Sequence, residues 1–324
     1  MLRRRGLGIW LVVLITTSVG PTAANAQAPV YLRQWGADGY GPGQFLGPTE
    51  IAIDESGEGV YVVDQFNHRI QKFTADGTYL TGWGSLGPAT GQFQYPHGLD
   101  VEGGLVYVAD YVNNRIQVFT EGGAYVRQWG TLGTGDGDLD GPIGVAVDAG
   151  GNVYVAERHN RRVQKFTSTG MFLSKWGAVG TAEGQFLEPY AVAVDGAGDV
   201  YVTDAPFLNP NWARVEKFTG SGEYLLQWSV RDAHGVAVDG QGDVYISTYR
   251  DNSIHKFTST GSLILQWGSP GAGFGQFYEP LGIDVGASGE IFVADSGNDR
   301  IQVFGYGPTP TRTRTWGRIK ASYR

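Results

Sequence analysis

Three sets of residues in this chain have the types and spacing to do chemistry. The first is repeated: an acid ends one short apolar run and an arginine opens the next, as Asp64/Arg69, Asp110/Arg115, Glu157/Arg162, Asp204/Arg214 and Asp295/Arg300. Carboxylate–guanidinium pairs can serve acid–base chemistry, but a pair written this many times reads as scaffold. One further copy has Thr248 and Ser253 at these positions. Joint loss is what a paired structural contact predicts, because an unpaired buried charge is costly. The second set is Asp136, Asp138 and Asp140, spaced like the first half of a calcium loop. Val147 stands where such a loop needs its glutamate, and Asp138-Leu139 aligns with Gln-Phe of the other copies, so a packing loop is favoured over Ca. The third set is singular: His97, Tyr111, Arg158, Tyr190, His234 and Tyr249. Imidazoles can act as bases or metal ligands, and a guanidinium can steady developing negative charge.

What positions these residues is an internal repeat. Val60-Tyr-Val-Val-Asp64, Val106-Tyr-Val-Ala-Asp110, Val153-Tyr-Val-Ala-Glu157, Val200-Tyr-Val-Thr-Asp204, Val244-Tyr-Ile-Ser-Thr248 and Ile291-Phe-Val-Ala-Asp295 are one motif written six times, 44 to 47 residues apart. A short apolar run precedes each copy, another follows, and a fourth ends in Trp. Four short strands per unit of this length are the signature of a propeller blade. The expected fold is all-β, a six-bladed β-propeller of four-stranded antiparallel blades. The spare strand Tyr31–Gly36 should close the ring by completing the last blade. A rival closing strand lies at Thr311–Gly317.

Aligned by repeat, Thr49, His97, Ile143, Tyr190, His234 and Leu281 open the inner strands. Gln65, Tyr111, Arg158, Ala205, Tyr249 and Ser296 follow the second strands. Both sets belong on the loop-rich face, around the mouth of the central channel. The repeat breaks most in units four and five. Unit four carries a five-residue insertion in its loop Ala205–Ala213, which shows Phe207 and Trp212, while unit five loses its Gly-Gln-Phe loop. A long loop beside a short one should leave a notch lined by these aromatics with Arg231, Asp232, His234 and Arg250.

The Gly-Gln-Phe loops (43–45, 91–93, 184–186, 275–277), the Pro-x-Gly-Ile/Val-x-Val-Asp runs, the Val-Tyr-Val-Ala-Asp motif and Asn-x-Arg-Ile-Gln-x-Phe together resemble the NHL-repeat family over most of residues 31–304. The resemblance implies the six-bladed fold, and members of that family include both binding modules and enzymes. Pro-His-Gly at His97, and Ala-His-Gly at His234, are similar to the strand openings of the amidating lyase that acts on peptidyl-α-hydroxyglycine. That likeness implies a zinc ligand at His97 and a partial match at His234, with Arg158 as the counterpart of the lyase's arginine. A third histidine is missing.

Composition narrows the rest. Cysteine is absent, which excludes thiol catalysis, disulfides and thiolate metal sites. Residues 1–26 read as a signal peptide: Arg3–Arg5, an apolar stretch, then Ala24-Asn25-Ala26. Residues 27–306 form the propeller, and 307–324 form a basic Pro/Thr-containing tail. Setting aside the three signal arginines and the five basic tail residues changes the net charge from −8 to −16 for the body. Such a body disfavours nucleic acid. A secreted or periplasmic monomer with no membrane contact after cleavage is expected. It would be non-catalytic and would bind a protein, peptide or glycan through His97, Tyr111, Arg158, Tyr190, Phe207, Trp212, Arg231, His234 and Tyr249. The alternative is a metal-assisted lyase or lactone hydrolase at the channel mouth.

Overall fold

The computed structural model describes residues 27–306; the expected signal peptide, the basic tail and the rival closing strand lie outside them. Twenty-four strands form six four-stranded antiparallel sheets, each a blade. Blades one to five are continuous in sequence. Blade six takes Pro280–Val285, Ile291–Asp295 and Arg300–Gly305 from the end of the chain, and Val30–Trp35 from the start. The pairing runs from Val30 opposite Gly305 to Trp35 opposite Ile301, so the N-terminal strand closes the ring.

The second strand of every blade is buried, apart from half-buried Leu105 at the start of that in blade two, because each sheet packs against a neighbour on both faces. Fourth strands alternate exposed and half-buried residues, as edge strands do. The tryptophan that ends a fourth strand lies on the turn glycine of the next blade. A Cβ on Gly77 would stand 2.8 Å from the Trp35 ring. With φ at +92°, that position suits glycine on both counts.

The repeated ion pairs are present, with Asp64–Arg69 at 2.7 Å, Asp110–Arg115 at 2.8 Å, Glu157–Arg162 at 2.5 Å and Asp295–Arg300 at 2.7 Å. Their reach is longer than the sequence suggested. Beyond the turn between strands two and three, they pin the Gly-Gln-Phe loop of the same blade. Arg69 donates to the carbonyls of Tyr40, Gly41 and Gln44, and Asp64 accepts from the Leu46 amide. Gln71 donates to the Gln44 carbonyl and accepts from Gly43. Blade five has no such loop, which explains why it lacks both the acid and the arginine.

Arg33 of the closing strand donates to both Glu290 oxygens, at 2.8 and 2.7 Å, and to the Ala75 carbonyl of blade one. The pair holds the Glu290 carboxyl below, and the Arg33 guanidinium above, their ordinary pKa values. It is partly solvated, so Glu290→Gln should cost less than about 1 kcal/mol. Thermal unfolding at low and high salt checks this, with the wild-type advantage shrinking as salt screens the pair.

Candidate functional site

Six inner strands surround the channel, and their first residues meet at its loop-rich end. Thr49, His97, Tyr190, His234 and Leu281 line a cavity of about 180 Å³ there, joined by Gln65, Arg158, Ala205, Phe207 and Tyr249. The centre is Tyr190. Its hydroxyl lies 2.9 Å from Nε2 of His97, with the rings edge to face at 4.9 Å. The same ring meets His234 at 4.6 Å, and His234 meets Tyr249 at 5.0 Å. Histidines three blades apart are thus linked through a single tyrosine, a juxtaposition the repeat alignment did not show.

Burial sets the charges. His97 is pushed down to about 3 by desolvation, with Arg158 and His234 adding to the effect, so its ring is neutral. Desolvation likewise lowers His234. Its Nδ1 faces the Asp232 carbonyl at 3.0 Å, which assigns the proton to Nδ1 and leaves a lone pair on Nε2. Tyr190 is held in the phenol form by burial. Arg158 is the cation of the site: burial opposes its charge, but the Glu188 carboxylate at 2.6 Å more than compensates. Glu188 also accepts from the Phe207 amide at 3.3 Å, tying the blade-four insert to Arg158. Arg250 lies 4.5 Å above the Phe207 ring and donates to its carbonyl. Glu188 was missed from sequence. The available signal was an acid where blades one and three have Gly47 and Gly141.

A family model described as NHL repeat matches residues 93–119, 139–166 and 277–304, and one described as 6-bladed beta-propeller matches residues 30–83. Blades two, three and six carry NHL repeats. Among solved structures, the chain is similar to a streptogramin B lyase at 15% identity, covering 86% of this chain and 98% of that one, TM-score 0.61. A catalytically inactive virginiamycin B lyase from Staphylococcus aureus with quinupristin shares 16% identity, covering 86% and 87%, TM-score 0.57. A protein of unknown function from Bacteroides thetaiotaomicron shares 17% identity, covering 86% and 76%, TM-score 0.61. At these identities the likeness shows the fold alone.

Not all the expected residues of the propeller reach the mouth. Tyr111 instead bonds Nε2 of His159 at 3.0 Å, and His159 bonds Asp140 at 2.9 Å. Trp212 faces a separate cavity on the outside of blade four. Arg231 pairs with Asp251 and Asn211 on the surface. The expected notch is filled. The Val230 amide donates to Ala213 and the Asp232 amide to Pro210, so the insert of blade four lies across the shortened loop of blade five. Buried Val230 and Ala213 join the apolar cluster beside Val236 there.

The aspartate loop also resolves into packing. Asp136 pairs with Lys175, Asp138 with Thr131 and the Gly135 amide, and Asp140 with His159. Asp138 thereby does the work of Gln44 in blade one, whose side chain accepts from Gly41. Their three carboxylates, turned to separate partners, do not fit a calcium cage. At the mouth, Nε2 of His97 is taken by Tyr190, and no group of three metal-ligating side chains occurs among the described residues. The donor set does not fit a three-ligand zinc centre.

Proposed function

We propose that this is an exported, non-catalytic binding propeller whose loop-rich face captures a protein, peptide or glycan partner. A carbonyl or carboxylate of that partner would enter the channel mouth. The observation that carries this reading is the convergence of Arg158, Tyr190 and two neutral histidines in a cavity of about 180 Å³. Sites that enclose a whole small ligand are commonly larger, roughly 300–1,000 Å³. The mouth therefore suits one group of a larger partner, with the remainder lying on the loops. The fitting group is an acceptor, since Arg158 offers a cation and Tyr190 a hydroxyl.

Short peptides with free C-termini, compared with their amidated forms, test this. Free carboxylates should raise the melting temperature of the mature protein in a saturable way, and Arg158→Met should abolish the shift. Equal shifts in the two proteins, or none in either, would reject the proposal. Only Arg158 need change, and it lies outside the buried repeat pairs.

A second reading, a lyase or lactone hydrolase, is favoured by one observation: the free Nε2 of His234 beside Tyr190. The likeness to enzymes described as streptogramin B lyases points the same way. In that reading His234 removes a proton and Arg158 steadies the developing anion. Turnover of a lactone or cyclic depsipeptide that disappears in His234→Ala would establish it.

A further inference from the structure

We infer that the cavity on the outer flank of blade four is a saccharide subsite that takes a neutral sugar ring against Trp212. It is separate from the channel mouth and stands whether or not the mouth reading survives.

The cavity exists because blade four lacks a plug that four other blades carry. In those blades an asparagine three residues after the acid bridges it to the preceding loop. Asn67 bonds Asp64 and the Gly39 carbonyl, and Asn113, Asn160 and Asn298 repeat the arrangement. The insert removes this residue; Asp204 keeps the Leu187 amide, the counterpart of Leu46 on Asp64, and adds the Glu188 amide. A space of about 320 Å³ opens between the insert and the sheet.

Its lining mixes polar groups with two apolar side chains, Leu187 and Trp212. Trp212, 60% exposed, supplies one broad aromatic wall. Asn211, Gln227, Thr181 and Ser229 complete the polar side of the lining, with Asn211 Oδ1 already accepting from Arg231 and the Thr181 carbonyl from Arg214. Arg214 forms part of the lining and is 8% exposed, yet its buried Nε has no acceptor. In blades one, two, three and six the same atom reaches its acid at 2.5 to 2.8 Å. A buried donor left unpaired costs free energy until an acceptor arrives. The charge of Arg214 is opposed by Asp204 at 3.4 Å and Glu216 at 2.9 Å, so the cavity offers hydrogen bonds without a strong positive field. A sugar ring has one apolar face for an aromatic wall and hydroxyls that both donate and accept. Amides, hydroxyls and a carboxylate–guanidinium pair match that edge, and the volume suits a mono- or disaccharide.

Saturation-transfer difference NMR on the mature protein, with glucose, galactose, mannose, N-acetylglucosamine and cellobiose as probes, tests the inference. Ring protons of at least one probe should receive saturation in a titratable way. Trp212→Ala should weaken that binding by about tenfold, while Trp212→Phe keeps most of it. Arg158→Met should leave it unchanged, which separates this subsite from the mouth. Circular dichroism verifies the fold of each variant, and because Trp212 is exposed its replacement leaves the core packing intact. No transfer to any probe, or transfer undiminished in Trp212→Ala, would overturn the assignment. Short peptides displacing the sugars from the Trp212 wall would overturn its saccharide character.

Discussion

Asp295→Ala is expected to lower the stability of the propeller by about 3–5 kcal/mol, the cost of stranding a buried charge. Asp295 is fully buried and accepts from four donors: Asn298 at 2.9 Å, Arg300 at 2.7 Å, Gln302 at 3.0 Å and the Tyr278 amide at 2.8 Å. Removing the carboxylate leaves Arg300, 6% exposed, with its charge uncompensated. It also releases the loop before Pro280 in the blade that closes the ring. Blade five supplies the internal control. There Thr248 and Ser253 share a neutral hydrogen bond at 2.9 Å, and Thr248→Ala should cost only about 1 kcal/mol. Arg300→Met added to Asp295→Ala should recover part of the loss, because no lone charge then remains. Denaturant unfolding reads all three. An Asp295→Ala cost no greater than that of Thr248→Ala would mean the pairs are ornamental.

These pairs show what the sequence discloses and what it withholds. The ring was legible because each blade repeats strand, turn and packing residue at a fixed interval. The mouth was legible by alignment: His97, Tyr190 and His234 hold equivalent positions on different inner strands, and equivalent positions on a ring converge. Alignment gives position around the ring but not side-chain length or direction. It therefore could not show that the Tyr190 hydroxyl reaches His97, nor that Glu188 aims Arg158. The notch failed for a related reason. Loop lengths alone place a gap where a long loop adjoins a short one, whereas the backbone of Pro210 and Ala213 pairs with that of Asp232 and Val230. The channel acids were overlooked altogether. Asp100 and Asp284 stand where the other inner strands have Ala52, Ala146, Ala193 and Ala237, and Glu50 stands where they have glycine or Ala191. That contrast is present in the repeat, one and three residues beyond the strand openings that form the mouth.

Those acids should make stability fall as pH rises from about 4 to 7, and Asp100→Asn should flatten the slope. Glu50, Asp100 and Asp284 line the central channel. The innermost strands leave backbone amides facing inward, and the carboxylates cap them. Asp100 accepts from Val101 and, across to blade three, from Val147 at 2.7 Å, while Asp284 accepts from Val285 and, across to blade one, from Ile53 at 2.9 Å. Protein surrounds them on every side, though the channel admits water and leaves each only half-buried by surface area. Desolvation, opposed by the amides, raises Asp100 to about 7 and Asp284 to about 6, and it lifts Glu50 well above the usual glutamate range. A raised carboxyl binds its proton more tightly in the folded chain than in the unfolded one. Its contribution is therefore fully present below the unfolded pKa, near 3.8 for aspartate, and is lost as pH climbs to the folded value. With channel water softening the penalty, Asp100 alone should account for about 2 kcal/mol over this window. Asn cannot ionise, and one of its two polar atoms cannot accept an amide, so Asp100→Asn should be less stable than wild type at pH 4. Between pH 4 and 7 its stability should fall less steeply than that of the wild type, because only Glu50 and Asp284 still titrate, and the gap should narrow. Unfolding curves measured across that range for the two proteins decide the matter. Parallel slopes would show that Asp100 is already ionised in the fold at pH 4, with the two amides outweighing the dry walls of the channel.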